Sequence, residues 1–163
     1  MAAQKVIGFH NPEEEYGFLS NWYPADFCLD GIFYSSLEQY MMYQKAVLFQ
    51  DNEIADEILK VKDSAAVKAL GRSVKNYEES IWNGRRQIIV YRGLIEKFQQ
   101  NAGIKDALLA TGDAILAECA VKDRIWGIGL SIKDKRRFDL KEWRGQNLLG
   151  YALMEVRREI HTI

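Results

Sequence analysis

The sequence predicts an α+β fold: a helix-dominated single domain over residues 1–163, with a small, mainly antiparallel sheet that includes an N-terminal hairpin. Three observations lead there. Short strand-like runs gather near the N-terminus. Most of the remaining chain divides into helix-like segments bounded by capping residues and glycines. The regular alternation of strand and helix that a dinucleotide-binding sheet requires is missing. With 48% hydrophobic and 28% charged residues over 163 positions, the chain has the composition of a folded protein with a real core.

Taken in order, "KVIGF" (Lys5 to Phe9) reads as a strand. "FCLDGIFY" reads as a hairpin, because Asp30-Gly31 is a two-residue turn signal between Phe27–Leu29 and Ile32–Tyr34. Ser35 or Ser36 can cap the helix that comes next, with Glu38 in its first turn. A second helix fits Asn52 to Val61. A third fits Asp63 to Leu70, with Gly71 as its stop. Asn76 is placed to cap a long helix through "SIWNGRRQIIVYRGLIEKFQQN", although Gly84 and Gly93 each cost about 1 kcal/mol against alanine there. A short helix fits Ile104 to Ala110, ended by Gly112. "AILAECA" to "RIWGIG" reads as a strand pair or a strand and loop. Asn147 then precedes a C-terminal helix, "LLGYALMEVRREI", with leucines and a methionine inward and arginines outward.

Several function classes drop out. A formal net charge of −1 provides no global field for nucleic acid, which leaves only a local basic patch. Cys28 and Cys119 lack metal-ligand spacing, and His10 and His161 are the only histidines, so no metal and no cofactor is expected. No secretory leader and no apolar run of membrane-spanning length is visible, so the expectation is a reduced, cytoplasmic protein without a membrane partner. "GIG" at Gly127 to Gly129 is not a dinucleotide fingerprint, and no phosphate-binding P-loop occurs.

The first candidate site is "SSLEQYMMYQKAVLF". At 100° per residue Glu38, Met42, Lys45 and Phe49 share one stripe, while Tyr40, Tyr43 and Val47 make the other side apolar too. A helix apolar nearly all round is a buried one, and ionised groups are buried only when paired, hydrogen-bonded or used in chemistry. Glu38 and Lys45 lie roughly 10 Å apart along the axis, the spacing of two walls of one pocket. A desolvated glutamate serves as a general acid or base, and a desolvated lysine as a nucleophile or an anion holder. The alternative has Glu38 complementing the helix dipole and Lys45 snorkelling outward.

Three further segments set polar groups among aromatics. "GFLSNWYP" places Ser20, Asn21, Trp22 and Tyr23 before Pro24, as a ligand-facing loop or a lid on the core. "KDRIWGIG" offers the Asp123 carboxylate and the Trp126 ring, with Gly127 and Gly129 admitting a ligand close to backbone, or else a tight turn with a core tryptophan. "SIKDKRRFDLKEWRGQN" sets six Lys/Arg (Lys133, Lys135, Arg136, Arg137, Lys141, Arg144) against three acids, and is either a solvated loop or a phosphate contact.

Together these segments resemble the YbiA-like family of the NADAR (NAD and ADP-ribose related) superfamily. The resemblance runs in order through "GFLSNWYPADF", "DGIFYSSLEQYMMYQKA", "AAVKALGR", Trp82 and Arg86, "EKFQQN", "LLATGDAILAE", "DRIWGIG" and "GQNLLGYALMEVR". It implies a metal-free N-glycosidase acting on a small ribosyl phosphate, such as the ribosylamino-pyrimidine phosphates of riboflavin biosynthesis, or on ADP-ribosylated guanine in nucleic acid. By this resemblance Glu38, Lys45 and Asp123 are catalytic. Asn21, Trp22, Tyr23, Gly71, Arg72, Trp126, Gly127, Gly129 and Asn147 bind substrate, with the aromatics stacking on the base and Arg72 holding phosphate. Lys45 is either a cation or a nucleophile that captures the sugar C1′. Where the family often has histidine after the glutamate, this chain has Gln39, which hydrogen-bonds but does not titrate. The cations of Lys133 to Arg144 exceed what one phosphate needs, which favours ADP-ribosylated guanine if that loop meets the substrate. A non-catalytic ADP-ribose or nucleotide binder is the other function class.

Overall fold

The computed structural model describes residues 3–162. In chain order the elements are β1 (Val6–Phe9), β2 (Phe27–Leu29), β3 (Ile32–Tyr34), α1 (Leu37–Leu48), α2 (Asn52–Leu59), α3 (Ser64–Arg72), α4 (Glu79–Gln99), α5 (Ala102–Ala110), β4 (Ile115–Glu118) and α6 (Leu148–Thr162). Short 3-10 turns lie at Gly17–Leu19, Lys135–Phe138 and Leu140–Glu142. The fold is helix-rich α+β, as expected. Two compact units emerge: one runs from Pro24 to Asn101, and the other joins the residues up to Tyr23 with those from Ala102 onward.

In the Pro24–Asn101 unit, β2 and β3 form the expected antiparallel hairpin, with Phe27 opposite Tyr34 and Leu29 opposite Ile32. Asp30 and Gly31 turn it with φ of 51° and 80°, the left-handed pair that matches the twist of a two-residue hairpin. Helix α1 is the axis of this unit and packs on α2, α3 and α4. That is why it is apolar nearly all round: Leu37, Tyr40, Met41, Met42 and Ala46 are all buried. Ser36 caps it, its side chain accepting from the Gln39 N–H at 3.1 Å.

One expectation fails here, and one holds, for the same reason. Gly71 does not stop α3 but lies inside it, because a Cβ there would overlap the Met42 sulfur of α1. Gly93 is tolerated inside α4 on the same ground, since Tyr40 fills the place of its missing side chain. Nothing within 4 Å explains Gly84. Asn76 does not cap α4 either. It sits at φ 59° in the preceding loop, and α4 begins after Glu78 without a side-chain cap.

In the other unit, β1 and β4 pair in parallel, Val6 opposite Ile115 through Phe9 opposite Glu118. The single, mainly antiparallel sheet is therefore corrected: the described residues form one antiparallel and one parallel two-stranded ladder. Helix α6 packs on β4, and its Leu149, Leu153, Val156 and Ile160 are buried. Its arginines are not all outward. Arg157 is buried and donates to Thr111 Oγ1 at 2.8 Å and the Ala114 carbonyl at 3.0 Å, which fixes the approach to β4. The stretch after β4 is a loop, not a second strand, and its Cys119, Ile128 and Leu130 are buried in one cluster with Ala117 of β4.

Candidate active site

The Pro24–Asn101 unit brings Glu38, Lys45, Gly71 and Arg72 together. Glu38 is 4% exposed on the first turn of α1. Its position is set by its neighbour. Gln39 accepts from the Ser35 N–H (2.7 Å) and hydroxyl (3.1 Å), and donates to the carbonyls of Ile58 (3.1 Å) and Val61 (2.8 Å). Both donors and both lone pairs of the amide are in use, so Gln39 locks the start of α1 onto the end of α2.

Two turns along, the Lys45 amine donates to the Gly71 carbonyl at 2.8 Å. It also stands 4.6 Å from the Tyr77 ring centre and 6.0 Å from that of Trp82, both within cation–π range. Burial lowers its proton affinity below that of a free lysine; Glu38 opposes that shift and Arg72 reinforces it. Arg72 itself is exposed at the end of α3. The glycine expected to touch substrate thus has two local uses, close packing against Met42 and a carbonyl that seats the lysine.

Tyr77 escaped the reading of the sequence because it lies in a loop with no periodicity. Asp51 brings it in. Its carboxylate caps α2 through the Ile54 N–H (3.2 Å) and takes the Lys75 N–H (2.9 Å), fastening the α3–α4 loop to the end of α1. Those contacts hold the Asp51 carboxyl below its usual range, the bond from Lys75 first. Phe49 braces Tyr77 edge-on at 5.4 Å.

The remaining candidates fall in the other unit, in two local groups. In the turn after Leu19, the Trp22 N–H donates to the Ser20 hydroxyl at 3.1 Å and the Tyr23 N–H to the Ser20 carbonyl at 3.2 Å. Asn21 is buried there, and its side-chain oxygen has no hydrogen-bond partner among the described residues. Trp22 is exposed. In the loop after β4, one oxygen of Asp123 accepts from the N–H groups of Ile125 (2.9 Å) and Trp126 (2.8 Å), closing a tight turn. Gly127 and Gly129 are buried beyond it, and Trp126 is half-buried. Asn147 is fully buried and its amide holds β4, donating to the Leu116 carbonyl at 2.9 Å and accepting from the Glu118 N–H at 3.0 Å. The first N–H groups of α6 donate to the carbonyls of Ile125 and Trp126, so the loop itself caps that helix.

The basic segment is a folded surface. Arg136 binds Asp134 through two parallel contacts, 3.1 Å from Nε and 2.7 Å from Nη2, which holds the Asp134 carboxyl down to about 2. Arg137 stacks on Phe138 at 4.1 Å, and the Trp143 indole N–H donates to the Arg137 carbonyl at 2.8 Å. No cluster of three His, Cys, Asp or Glu among the described residues is arranged to hold a metal ion. No helix among them is long and apolar enough to cross a membrane.

The chain is similar in sequence and in fold to known proteins. The chain is 36% identical to an N-glycosidase of Acanthamoeba polyphaga mimivirus over 98% of both chains. It is 33% identical to a riboflavin biosynthesis protein of Vibrio vulnificus, over 96% of this chain and 39% of that one. The NMR structure of Escherichia coli YbiA superposes with a TM-score of 0.81 at 28% identity, over 99% of this chain and 88% of that one. The sequence model of the NADAR domain matches residues 8–161, and the chain belongs to the NADAR domain family.

Proposed function

We propose that this chain is an N-glycosidase, hydrolysing the bond between a base and the C1′ of a ribosyl phosphate. The observation that carries the reading is the burial of Glu38 on the same face of α1 as a lysine whose amine is desolvated. Relatives named as N-glycosidases support it. Breaking an N-glycosidic bond builds oxocarbenium-like charge at C1′, as in other glycosidases. A buried carboxylate stabilises that charge far better than one in water, and it also orients or deprotonates the attacking water.

Lys45 enters in one of two ways. As an ammonium held by the Gly71 carbonyl and the Tyr77 face, it attracts a phosphate or a ribose hydroxyl. As a neutral amine, favoured by burial, its Nζ bonds to C1′ while the C1′–N bond to the base breaks and the base departs with a proton. Ring opening then gives an imine and a free 4′-hydroxyl, and water across the imine returns sugar and lysine.

Two substrates fit this chemistry, a ribosylamino-pyrimidine phosphate and ADP-ribosylated guanine. The bond between Arg136 and Asp134 weakens the case for the basic segment as a pyrophosphate holder. The free thiols of Cys28 and Cys119 suit a reducing cytoplasm. Incubating purified protein with each substrate and measuring released base by chromatography tests the reading. Release from either supports it; binding of ADP-ribose with no release from either establishes a nucleotide-binding module instead. Borohydride added during turnover traps a protein–sugar adduct if Lys45 is the nucleophile. Absence of an adduct, with Lys45→Arg active, assigns it the role of cation.

A further inference from the structure

Lys45 is held by groups from three parts of its unit. Its Nζ meets the Gly71 carbonyl of α3 at 2.8 Å, the Tyr77 face from the α3–α4 loop at 4.6 Å, and Trp82 of α4 at 6.0 Å. Trp82 is buried and Gly71 is locked by Met42, so these two are fixed by the core. Tyr77 is different. It is 42% exposed and lies outside any helix, yet it is doubly anchored: Phe49 braces its ring, and Asp51 fastens its loop through the Lys75 N–H. An exposed tyrosine fixed this firmly over an amine is a lid of fixed geometry on the lysine.

We propose that Tyr77 is a positioning residue for Lys45: its ring holds the amine against the Gly71 carbonyl and favours the ammonium form, thereby setting the pH range over which the lysine works. The inference rests on the N-glycosidase reading for its catalytic consequence alone. The aromatic face attracts a cation and does nothing for a neutral amine. Other groups acting on the amine are Glu38 from α1, which favours the ammonium, and Arg72 from α3, which disfavours it. Trp82 of α4 is uncharged, and among the described residues no charged side chain of α2 acts on the amine. Removing the Tyr77 ring therefore removes one of the contributors that keep the proton on. Leucine at this position keeps an apolar side chain against Phe49 while removing the ring.

The test uses two variants, Tyr77→Leu and Tyr77→Phe, and two readouts. Lysines are dimethylated with 13C-formaldehyde and a borane reductant, and the Lys45 resonance, identified by its absence in Lys45→Arg, is titrated by NMR. Tyr77→Leu should lower its midpoint by about half a pH unit, while Tyr77→Phe should leave it within about 0.2. In base-release assays Tyr77→Leu should lower kcat about tenfold and move the pH profile in the same direction, with Tyr77→Phe recovering most of it. A Tyr77→Leu midpoint that is unchanged or raised, or equal effects of the two variants, overturns the proposal. If wild-type protein cleaves no substrate, the N-glycosidase reading fails and the titration alone still decides the placement of the amine.

Discussion

Helix α1 and the segment from Lys133 to Arg144 both set charged side chains among aromatics, yet the structure treats them oppositely. In α1 the charges face inward. Glu38 is 4% exposed, and Lys45 is held by a carbonyl and two rings. In the basic segment Arg136 lies on the surface against Asp134, and Arg137 lies over Phe138. Surface pairs of that kind contribute little and are screened by salt. A charge held inside has a desolvation cost that hydrogen bonds, ring faces or its use in chemistry must offset. What separates a site from a charged surface is therefore how each charge is satisfied, which the number of charges does not reveal.

A second buried amine sharpens the comparison. Lys97 of α4 is fully enclosed, and burial brings its proton affinity down to about 7. Desolvation alone does not make a reacting group. Lys45 is only partly buried and lies beside the exposed ring of Tyr77, whereas Lys97 has no exposed surface.

The largest structural effect is expected at Gln39. Gln39→Ala strands the Ser35 N–H and the Ile58 and Val61 carbonyls, and should cost about 2–4 kcal/mol by denaturant unfolding. An imidazole offers one donor and one acceptor, so Gln39→His should recover about half of that. A loss below about 1 kcal/mol in Gln39→Ala would mean that the clamp does not hold Glu38 in place.

Lys97→Met comes next, read through pH. An unfolded lysine titrates near 10.4 and the folded one near 7, so between these values the unfolded chain binds more protons and wild-type stability rises with pH. Methionine cannot titrate. The stability difference between wild type and variant should therefore move in favour of the wild type from pH 7 to 10, by up to about 4 kcal/mol. A constant difference would contradict a desolvated amine.

The smallest effect is assigned to the surface. Arg136→Ala with Arg137→Ala should leave cleavage of a pyrimidine ribosyl phosphate within about twofold, consistent with near-neutral surface pairs. A selective, salt-sensitive loss on ADP-ribosylated guanine would instead return the segment to the site.

The comparison also shows what was legible in the sequence. The hairpin was, because Asp30-Gly31 encodes its turn locally. So was the α1 stripe, because helical periodicity places Glu38 and Lys45 without any tertiary knowledge. The parallel pairing of Val6 with Ile115 was not, since strand signals are local and partners so distant carry no mark of each other. Gly71 read as a helix stop because a terminal glycine obeys the same local rule as one admitting a neighbouring methionine. Tyr77 reaches Lys45 through the bond from the Lys75 N–H to Asp51 and the brace of Phe49, across a loop that has no pattern to read.

The most direct measurement compares base release by wild type and by Glu38→Gln, with the melting temperature of each recorded alongside. The substitution keeps shape and hydrogen bonding while removing the carboxylate's charge and basicity. Wild-type protein should release base, and a Glu38→Gln protein that melts at the wild-type temperature should be slower by about two orders of magnitude or more. Unchanged turnover in a folded Glu38→Gln protein would contradict a catalytic carboxylate on α1. An early-melting variant with proportionate loss of activity would reduce Glu38 to a partner of the helix N-terminus.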